Sequence, residues 1–320
     1  MRNILLVGCG AMGGIFAERL SHVAAVTAYD TNREHVAAIQ QDGLRVTADD
    51  EERVGRPEAT ADAAALAGRR FDALIFLVKS GATAAALDQV RPVLGDGTVL
   101  LTLQNGMGNA EQLLGVPGVT VARGVTLDAG RYVGSGRSEH LVRGQPTFFG
   151  PVRGRVEDLR WLGDLVNAAG ISCEVMADPM PAVWAKFVLN AVMNPVGALL
   201  LGVNAARYEV PQVVELIDEM AEECTRVVEG LGGRLAFDPL INVKKMRAGA
   251  VPLSRHGGST ALDIARGVPT EIEELTGFVV REGDRLGIPV PNCRAVYRLV
   301  KGLEHAAALR IAERGPGGTP

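Results

Sequence analysis

Residues 3–14 read Asn3-Ile4-Leu5-Leu6-Val7-Gly8-Cys9-Gly10-Ala11-Met12-Gly13-Gly14. An unbroken aliphatic run at Asn3–Val7 predicts a strand buried on both faces, and the glycines after it predict a turn opening a helix through about Ser21. Gly8 to Gly13 fits G-x-G-x-x-G. With 39 glycines in 320 residues, chance alone supplies on the order of half such a match, so the pattern gains weight only from its position between strand and helix. The next aliphatic run, residues 24–29, ends at Asp30, 22 residues after Gly8. Strand, glycine turn, helix, strand and acidic residue together make a dinucleotide-binding fingerprint. Gly8 permits the tight turn, Gly10 lets a pyrophosphate approach the backbone, and Gly13 lets helix and strand pack closely. Cys9, Ala11 and Met12 complete the turn, and the helix N-terminus offers free N–H groups to an anion. The bland alternative is a glycine-rich turn that binds nothing.

Asp30 bears on the cofactor. A carboxylate at that place hydrogen-bonds the ribose hydroxyls of NAD(H) and repels a 2′-phosphate, whereas Arg33 is placed to clamp one. Further along, residues 34–41 and 82–93 predict helices, and 71–78, 99–103 and 119–125 predict strands. Residues 126–150, rich in glycine, predict antiparallel strands or loops. From about residue 179 the pattern is helical: 182–201, 211–231, 239–248, 259–266, 270–286 and 293–314. The fold class is therefore α/β, a Rossmann-like dinucleotide-binding domain over 1–177 followed by an all-α domain over 178–314, with a disordered tail at 315–320.

Composition narrows the class. A net charge of −4 leaves no basic face for nucleic acid, and 47 % hydrophobic residues can fill a substantial core. Uninterrupted apolar runs fall short of the roughly 18 residues of a membrane span. Cys9, Cys173, Cys224 and Cys293 show neither metal-ligand nor disulfide spacing, which predicts reduced thiols, no metal site and a cytoplasmic setting. The apolar helix surface of the second half is compatible with a homodimer and equally with core packing.

Four clusters do not follow from a dinucleotide fold. Lys79 and Asn105 stand at the C-terminal ends of two expected strands, where ligands bind such sheets. Lys186 and Asn190 are i, i+4 on one apolar helix, followed by Asn194 and Pro195; a snorkelling Lys is the alternative reading. Ser259 and Glu271 lie in two segments where Thr260…Asp263 and Thr270…Glu273 have capping-box spacing. That reading puts Glu271 in the first turn of a helix.

Taken together, Gly8–Gly13, Lys79, Asn105-Gly106-Met107-Gly108, Lys186 with Asn190 and Asn194, Ser259…Asp263…Thr270-Glu271 and Leu286–Pro291 make the chain resemble the ketopantoate reductase (2-dehydropantoate 2-reductase) family, from Gly8 to about Glu304. The resemblance implies hydride transfer from NADP(H), the family default, or NAD(H) to the ketone of a small 2-keto acid, with D-pantoate as the usual product. It implies Lys186 as general acid and Glu271 as its positioning partner, touching substrate and cofactor. Asn190, Asn194 and Asn105 would hold substrate, Ser259 its carboxylate, and Lys79 and Asn105 would lie near the nicotinamide and its ribose. The chain departs from the family pattern at Thr260 and Leu262, where Met and Gln are usual, at Val268, and in carrying Asp30 where an Arg is common. Those departures keep open another 2-keto acid as substrate. A nicotinamide-binding regulator would be expected to lack Lys186 or Glu271. None of His22, His35, His140, His256 or His305 falls in a dehydrogenase motif.

Overall fold

A computed structural model describes residues 1–49, 51–203, 205–253 and 257–314. The expected tail at 315–320 and His256 lie outside them. The chain divides into two compact units, Met1–Pro179 and Met180–Pro320.

In the first unit the strands are β1 (Asn3–Val7), β2 (Ala25–Tyr29), β3 (Leu44–Ala48), β4 (Glu51–Gly55), β5 (Glu58–Thr60), β6 (Ala73–Phe76), β7 (Val99–Thr102), β8 (Thr120–Thr126), β9 (Ala129–Gly134), β10 (Arg137–Val142), β11 (Thr147–Arg153) and β12 (Cys173–Val175). The helices are α1 (Ala11–Leu20), α2 (Arg33–Asp42), α3 (Thr83–Val90), α4 (Asn109–Leu113) and α5 (Arg160–Ala168). Among the described residues one sheet runs β12-β11-β8-β7-β6-β1-β2-β5, parallel except where β11 meets β8. Strand β1 sits centrally with its two faces in separate cores. Ile4 and Leu6 join Phe16, Leu20 and Phe149 on one side, while Leu5 and Val7 join Leu74, Phe76 and Leu87 on the other. This two-sided burial is why the strand reads as a continuous apolar run rather than an alternation.

A second sheet, β4-β3-β10-β9, packs over α1. The sequence reading had no strands at 44–55. The period-two pattern of β3, buried at Leu44, Val46 and Ala48, spans only five residues, and it depends on a parallel partner some 90 positions away, β10. Such non-local pairing leaves little local signal.

The second unit is helical: α6 (Met180–Leu199), α7 (Ala206–Glu209), α8 (Pro211–Gly230), α9 (Ile241–Arg247), α10 (Ser259–Arg266), α11 (Thr276–Leu286) and α12 (Pro291–Arg314). Although no uninterrupted apolar run reaches membrane-span length, α6 as a whole is long and apolar enough by composition. Its apolar window is 72 % buried within the protein, the situation of a core helix. Two expectations are corrected here. Helix α10 starts at Ser259 with Gly258 as its N-cap at φ 92°, so Thr260 lies inside the helix and caps nothing. Helix α11 starts at Thr276, not Thr270, and Glu271 sits in a turn before it. Glu273 is engaged by the Tyr297 hydroxyl at 2.9 Å and by Arg281 at 3.2 Å rather than in a capping box.

The glycines of the first turn differ in what they permit. A Cβ on Gly13 would lie 1.9 Å from the Gly8 carbonyl oxygen, whereas one on Gly10 would meet nothing within 4 Å. Gly13→Ala is therefore expected to destabilise the protein by about 1–3 kcal/mol through forced overpacking. Gly10→Ala should stay within about 0.5 kcal/mol of the parent. Urea denaturation of the two variants checks the contrast.

Candidate active site

Three strand ends converge in the first unit. Gly8 adopts φ 91° and approaches the Val78 backbone so closely that a Cβ would fall 2.7 Å from its nitrogen. The turn thus requires glycine and lies against the segment leading to Lys79. Helix α1 begins at Ala11 with Gly10 as an extended N-cap, so its first N–H groups have no intrahelical acceptor. Gly10 needs no glycine for internal packing. The missing side chain leaves open space beside those donors, and that fits a pyrophosphate approaching the backbone. Asp30, just beyond β2, accepts from the Cys9 N–H at 2.8 Å and from the Asn32 N–H at 2.9 Å. Asn32 caps α2 by accepting from the His35 N–H at 3.0 Å. Arg33 is exposed in the first turn of α2, beside exposed Glu34. Burial, then the negative charges of Asp62 and Asp30, hold the Tyr29 hydroxyl above its ordinary range. Two carboxylates thus bear on the end of β2.

Lys79 and Asn105 are held by a polar network at the ends of β6 and β7. Ser80 Oγ donates to the Asn105 carbonyl at 3.0 Å, and Asn109 Nδ2 donates to the same carbonyl at 3.0 Å. Gln104 Nε2 donates to the Val78 carbonyl and to Thr83 Oγ1, each at 2.8 Å, and Thr83 Oγ1 donates to Asn109 Oδ1 at 3.1 Å. Ser80, Thr83, Gln104 and Asn109 are buried, so each donor and acceptor they satisfy avoids a desolvation cost. Ser80 and Gln104 stand in the same two sequence clusters, Leu77–Ser80 and Gln104–Gly108, with no role assigned to them there, while Thr83 and Asn109 lie outside both clusters and carry no separate signal.

In the second unit, α6 is buried from Pro181 to Ala198 except at Lys186, Leu189 and Asn194. The polar positions Lys186, Asn190 and Asn194 succeed one another at four-residue steps and so share one face. Asn194 Nδ2 reaches Ser259 Oγ at 3.4 Å, which brings together two of the expected substrate residues.

The Glu271 turn is pinned at both ends. On one side, Glu304 of α12 accepts from the Thr270 N–H at 3.0 Å and from its hydroxyl at 2.6 Å. Burial alone would raise the Glu304 carboxyl. Lys301 and Thr270 outweigh it, holding the carboxyl below its ordinary range. On the other side, Pro195 has no N–H for the Ala191 carbonyl one turn earlier in α6. The buried Thr276 hydroxyl donates to that oxygen at 2.7 Å. Glu271 thus lies between a tie to α12 and a tie to α6. Pro195 was the available signal for the second tie, because a proline inside a helix announces an orphaned carbonyl four residues back.

The cysteines are free among the described residues. Burial, then Asp30, pushes the Cys9 thiol far up, and burial, then neighbouring acids, raises Cys173 to about 12. Both are protonated and unreactive at neutral pH. No cluster of metal-ligating side chains occurs among the described residues.

Comparison with known proteins adds independent information. A family model described as "Ketopantoate reductase PanE/ApbA" matches residues 4–154, and one described as "Ketopantoate reductase PanE/ApbA C terminal" matches residues 178–304. A protein of Halobacterium salinarum named 2-dehydropantoate 2-reductase is 32 % identical over 304 residues, covering 93 % of this chain and 98 % of that one. The structure of a PanE/ApbA family ketopantoate reductase from Ralstonia eutropha JMP134 matches with TM-score 0.82 at 30 % identity, covering 95 % of this chain and 99 % of that one. A D-mandelate dehydrogenase solved with NADH and anilino(oxo)acetate shares the fold, with TM-score 0.85 at 21 % identity over 95 % of this chain and 99 % of that one.

The tie between α6 and α11 is testable. Thr276→Val removes the donor and leaves a buried carbonyl unsatisfied, which is expected to cost about 1–3 kcal/mol. Thr276→Ser should recover most of it. Adding Pro195→Ala to Thr276→Val restores a helical N–H to the same oxygen, so the double variant should be more stable than Thr276→Val alone. A urea-denaturation cycle reads all three.

Proposed function

The chain belongs to the ketopantoate reductase family, and from that membership we propose that it reduces 2-dehydropantoate (ketopantoate) to D-pantoate, a step of pantothenate and coenzyme A biosynthesis. The cofactor is a reduced nicotinamide dinucleotide. In this reading the first unit is the dinucleotide-binding domain and the second the helical catalytic domain. The single observation that carries it is the polar face Lys186, Asn190 and Asn194 on the largely buried, apolar helix α6, with Ser259 at Asn194 and the Glu271 turn tied to the same helix.

Residues Gly8, Cys9, Gly10, Ala11, Met12 and Gly13 form the pyrophosphate turn, with Lys79 and Asn105 serving the nicotinamide end. When bound, the dinucleotide supplies a hydride to the carbonyl carbon of the keto acid. As the C–H bond forms, the carbonyl π pair moves onto oxygen. Lys186 Nζ stabilises the developing alkoxide electrostatically and gives it a proton, becoming an amine that regains its proton from solvent. Asn190 and Asn194 orient the substrate, and Ser259 donates to its carboxylate. Glu271 accepts from the substrate hydroxyl and positions the Lys186 ammonium.

NAD(H) is the proposed preference over NADP(H). Asp30 occupies the ribose-recognition place, Asp62 adds a second negative charge at the end of β2, and a 2′-phosphate would bring close to two more. Arg33 offers a single positive charge there, next to Glu34. A reductase acting on a different 2-keto acid is the second reading. Thr260 and Leu262 favour it, because they replace the usual Met and Gln in α10, the helix that carries Ser259.

Purified protein mixed with ketopantoate should oxidise the reduced nicotinamide, with kcat/KM higher for NADH than for NADPH. Lys186→Ala should lose about 10²–10⁴-fold in kcat while still binding dinucleotide. Turnover of other 2-keto acids but not ketopantoate would select the second reading, and near-normal kcat in Lys186→Ala would remove that residue from proton transfer.

A further inference from the structure

We infer that His35, which matches no dehydrogenase motif, is a positioning residue for the dinucleotide turn. The inference rests on the reading of that turn as the cofactor site. His35 lies in the first turn of α2 and is 1 % exposed. Its Nδ1 accepts the Gly136 N–H at 2.9 Å. A backbone N–H can only donate, so the imidazole proton sits on Nε2. Nε2–H then donates to the Cys9 carbonyl at 2.8 Å. The tautomer is set by the β9–β10 turn and used on the glycine turn. Tyr132 of β9 packs against the imidazole with ring centroids 5.2 Å apart at 65°, which restrains the ring plane.

The consequence follows from peptide planarity. The carbonyl of Cys9 and the N–H of Gly10 belong to one trans peptide unit and point in opposite directions. By fixing the Cys9 carbonyl on its own side, His35 aims the Gly10 N–H the other way, and a Cβ on Gly10 would meet nothing within 4 Å, so that residue borders open space. Asp30 meanwhile holds the Cys9 N–H, so the peptide units on both sides of Cys9 are clamped. Donors fixed before the ligand arrives cost less to order on binding. Two buried contacts to one imidazole also couple the turn to the second sheet, which the dinucleotide fingerprint alone does not include.

Two substitutions separate the two ends of the imidazole. The side-chain amide of Asn reaches the place of Nδ1 and can keep the Gly136 contact but not the Cys9 one. That of Gln reaches the place of Nε2 and can keep the Cys9 contact but not the Gly136 one. Binding of NADH and NADPH is measured by fluorescence titration and by KM, alongside thermal melting. His35→Asn is expected to weaken the dinucleotide that the parent prefers by about fivefold or more, with kcat at saturating cofactor within about twofold. His35→Gln should bind within about twofold of the parent even if it melts at a lower temperature. If His35→Asn does not fold, clearly weakened binding in His35→Gln alone still overturns the inference, because that variant keeps the Cys9 contact. Normal binding in His35→Asn, or binding in His35→Gln as weak as in His35→Asn, overturns the inference and leaves His35 as a brace of the β9–β10 turn. A parent protein that binds neither dinucleotide overturns the cofactor reading itself, an outcome distinct from either of these.

Discussion

The carbonyl of Gly8 and the Cα of Gly13 meet so closely that no side chain fits between them, and the first unit is arranged around that contact. It lets α1 start directly off the end of β1. The same closeness recurs on the other faces of the helix. A Cβ on Gly14 would lie 2.8 Å from Ser138 Oγ of β10, one on Gly130 of β9 would lie 2.4 Å from Ile15, and one on Gly55 of β4 would lie 2.7 Å from the Glu18 Cα. Helix α1 is thus packed between two sheets, with glycines as the spacers. The abundance of glycine in the sequence reflects close approach as well as turns. Burying the helix so completely also takes the Glu18 carboxylate out of solvent. It is 0 % exposed, and Arg53 at 3.4 Å, His22 at 3.1 Å and Arg19 at 3.7 Å surround it. A buried carboxylate without such partners would be strongly unfavourable. The second sheet therefore supplies the charge, through Arg53 on β4, that its own packing over α1 makes necessary.

The helical unit solves a different problem. Glu271 stands in a turn, where a single i+4 bond, from the Leu275 N–H to its carbonyl at 3.1 Å, takes the place of a continuous helical ladder. Its neighbours are fixed instead by a side chain of α12 and a backbone carbonyl of α6. Glu304 holds Thr270, and the carbonyl left over by Pro195 holds Thr276. Each tie satisfies a buried or half-buried polar group that otherwise carries a desolvation cost, so the energetics of packing and the placement of Glu271 are the same interactions. A proline that weakens α6 locally is the reason α11 docks at that level of it.

What was legible in the sequence was local. Strand β1 and helix α10 agree residue for residue with their expected spans, because an apolar run ending in glycine and an amphipathic segment between glycines are complete signals in themselves. The change from alternating strands and helices to helices alone was visible for the same reason. The second sheet was not, since β3 and β10 pair across most of the first unit and each is short. The capping-box spacings misled because spacing records which residues could bond, not which competitor is nearer. Glu273 is taken by Tyr297, Arg281 and Lys301, and the cap of α10 is a glycine in a conformation that Thr260 could not supply. The motif residues proposed for the site stand out in the sequence, Gln104 among them without a role, while other groups that hold them (His35, Asn109, Thr276 and Glu304) do not. Their roles are defined by partners between three and 101 positions away.

Under the proposed NAD(H) preference, Asp30 would make cofactor choice a property of the fold and not only of a surface charge. One oxygen of its carboxylate accepts from Cys9 and the other from Asn32, so the side chain shapes the glycine turn and the entry to α2 while it presents negative charge. Asn32 in turn caps α2 by holding the His35 N–H, and His35 returns to the turn through the Cys9 carbonyl. The four residues close a loop of hydrogen bonds in which every member touches the next. Replacing Asp30 by a basic residue to admit a 2′-phosphate would remove two acceptors as well as a charge. The turn would lose its hold on Cys9, and the first turn of α2 its hold on Asn32. A change of preference by that route has to rebuild those contacts, which is a larger demand than adding a cation beside an intact turn at Arg33.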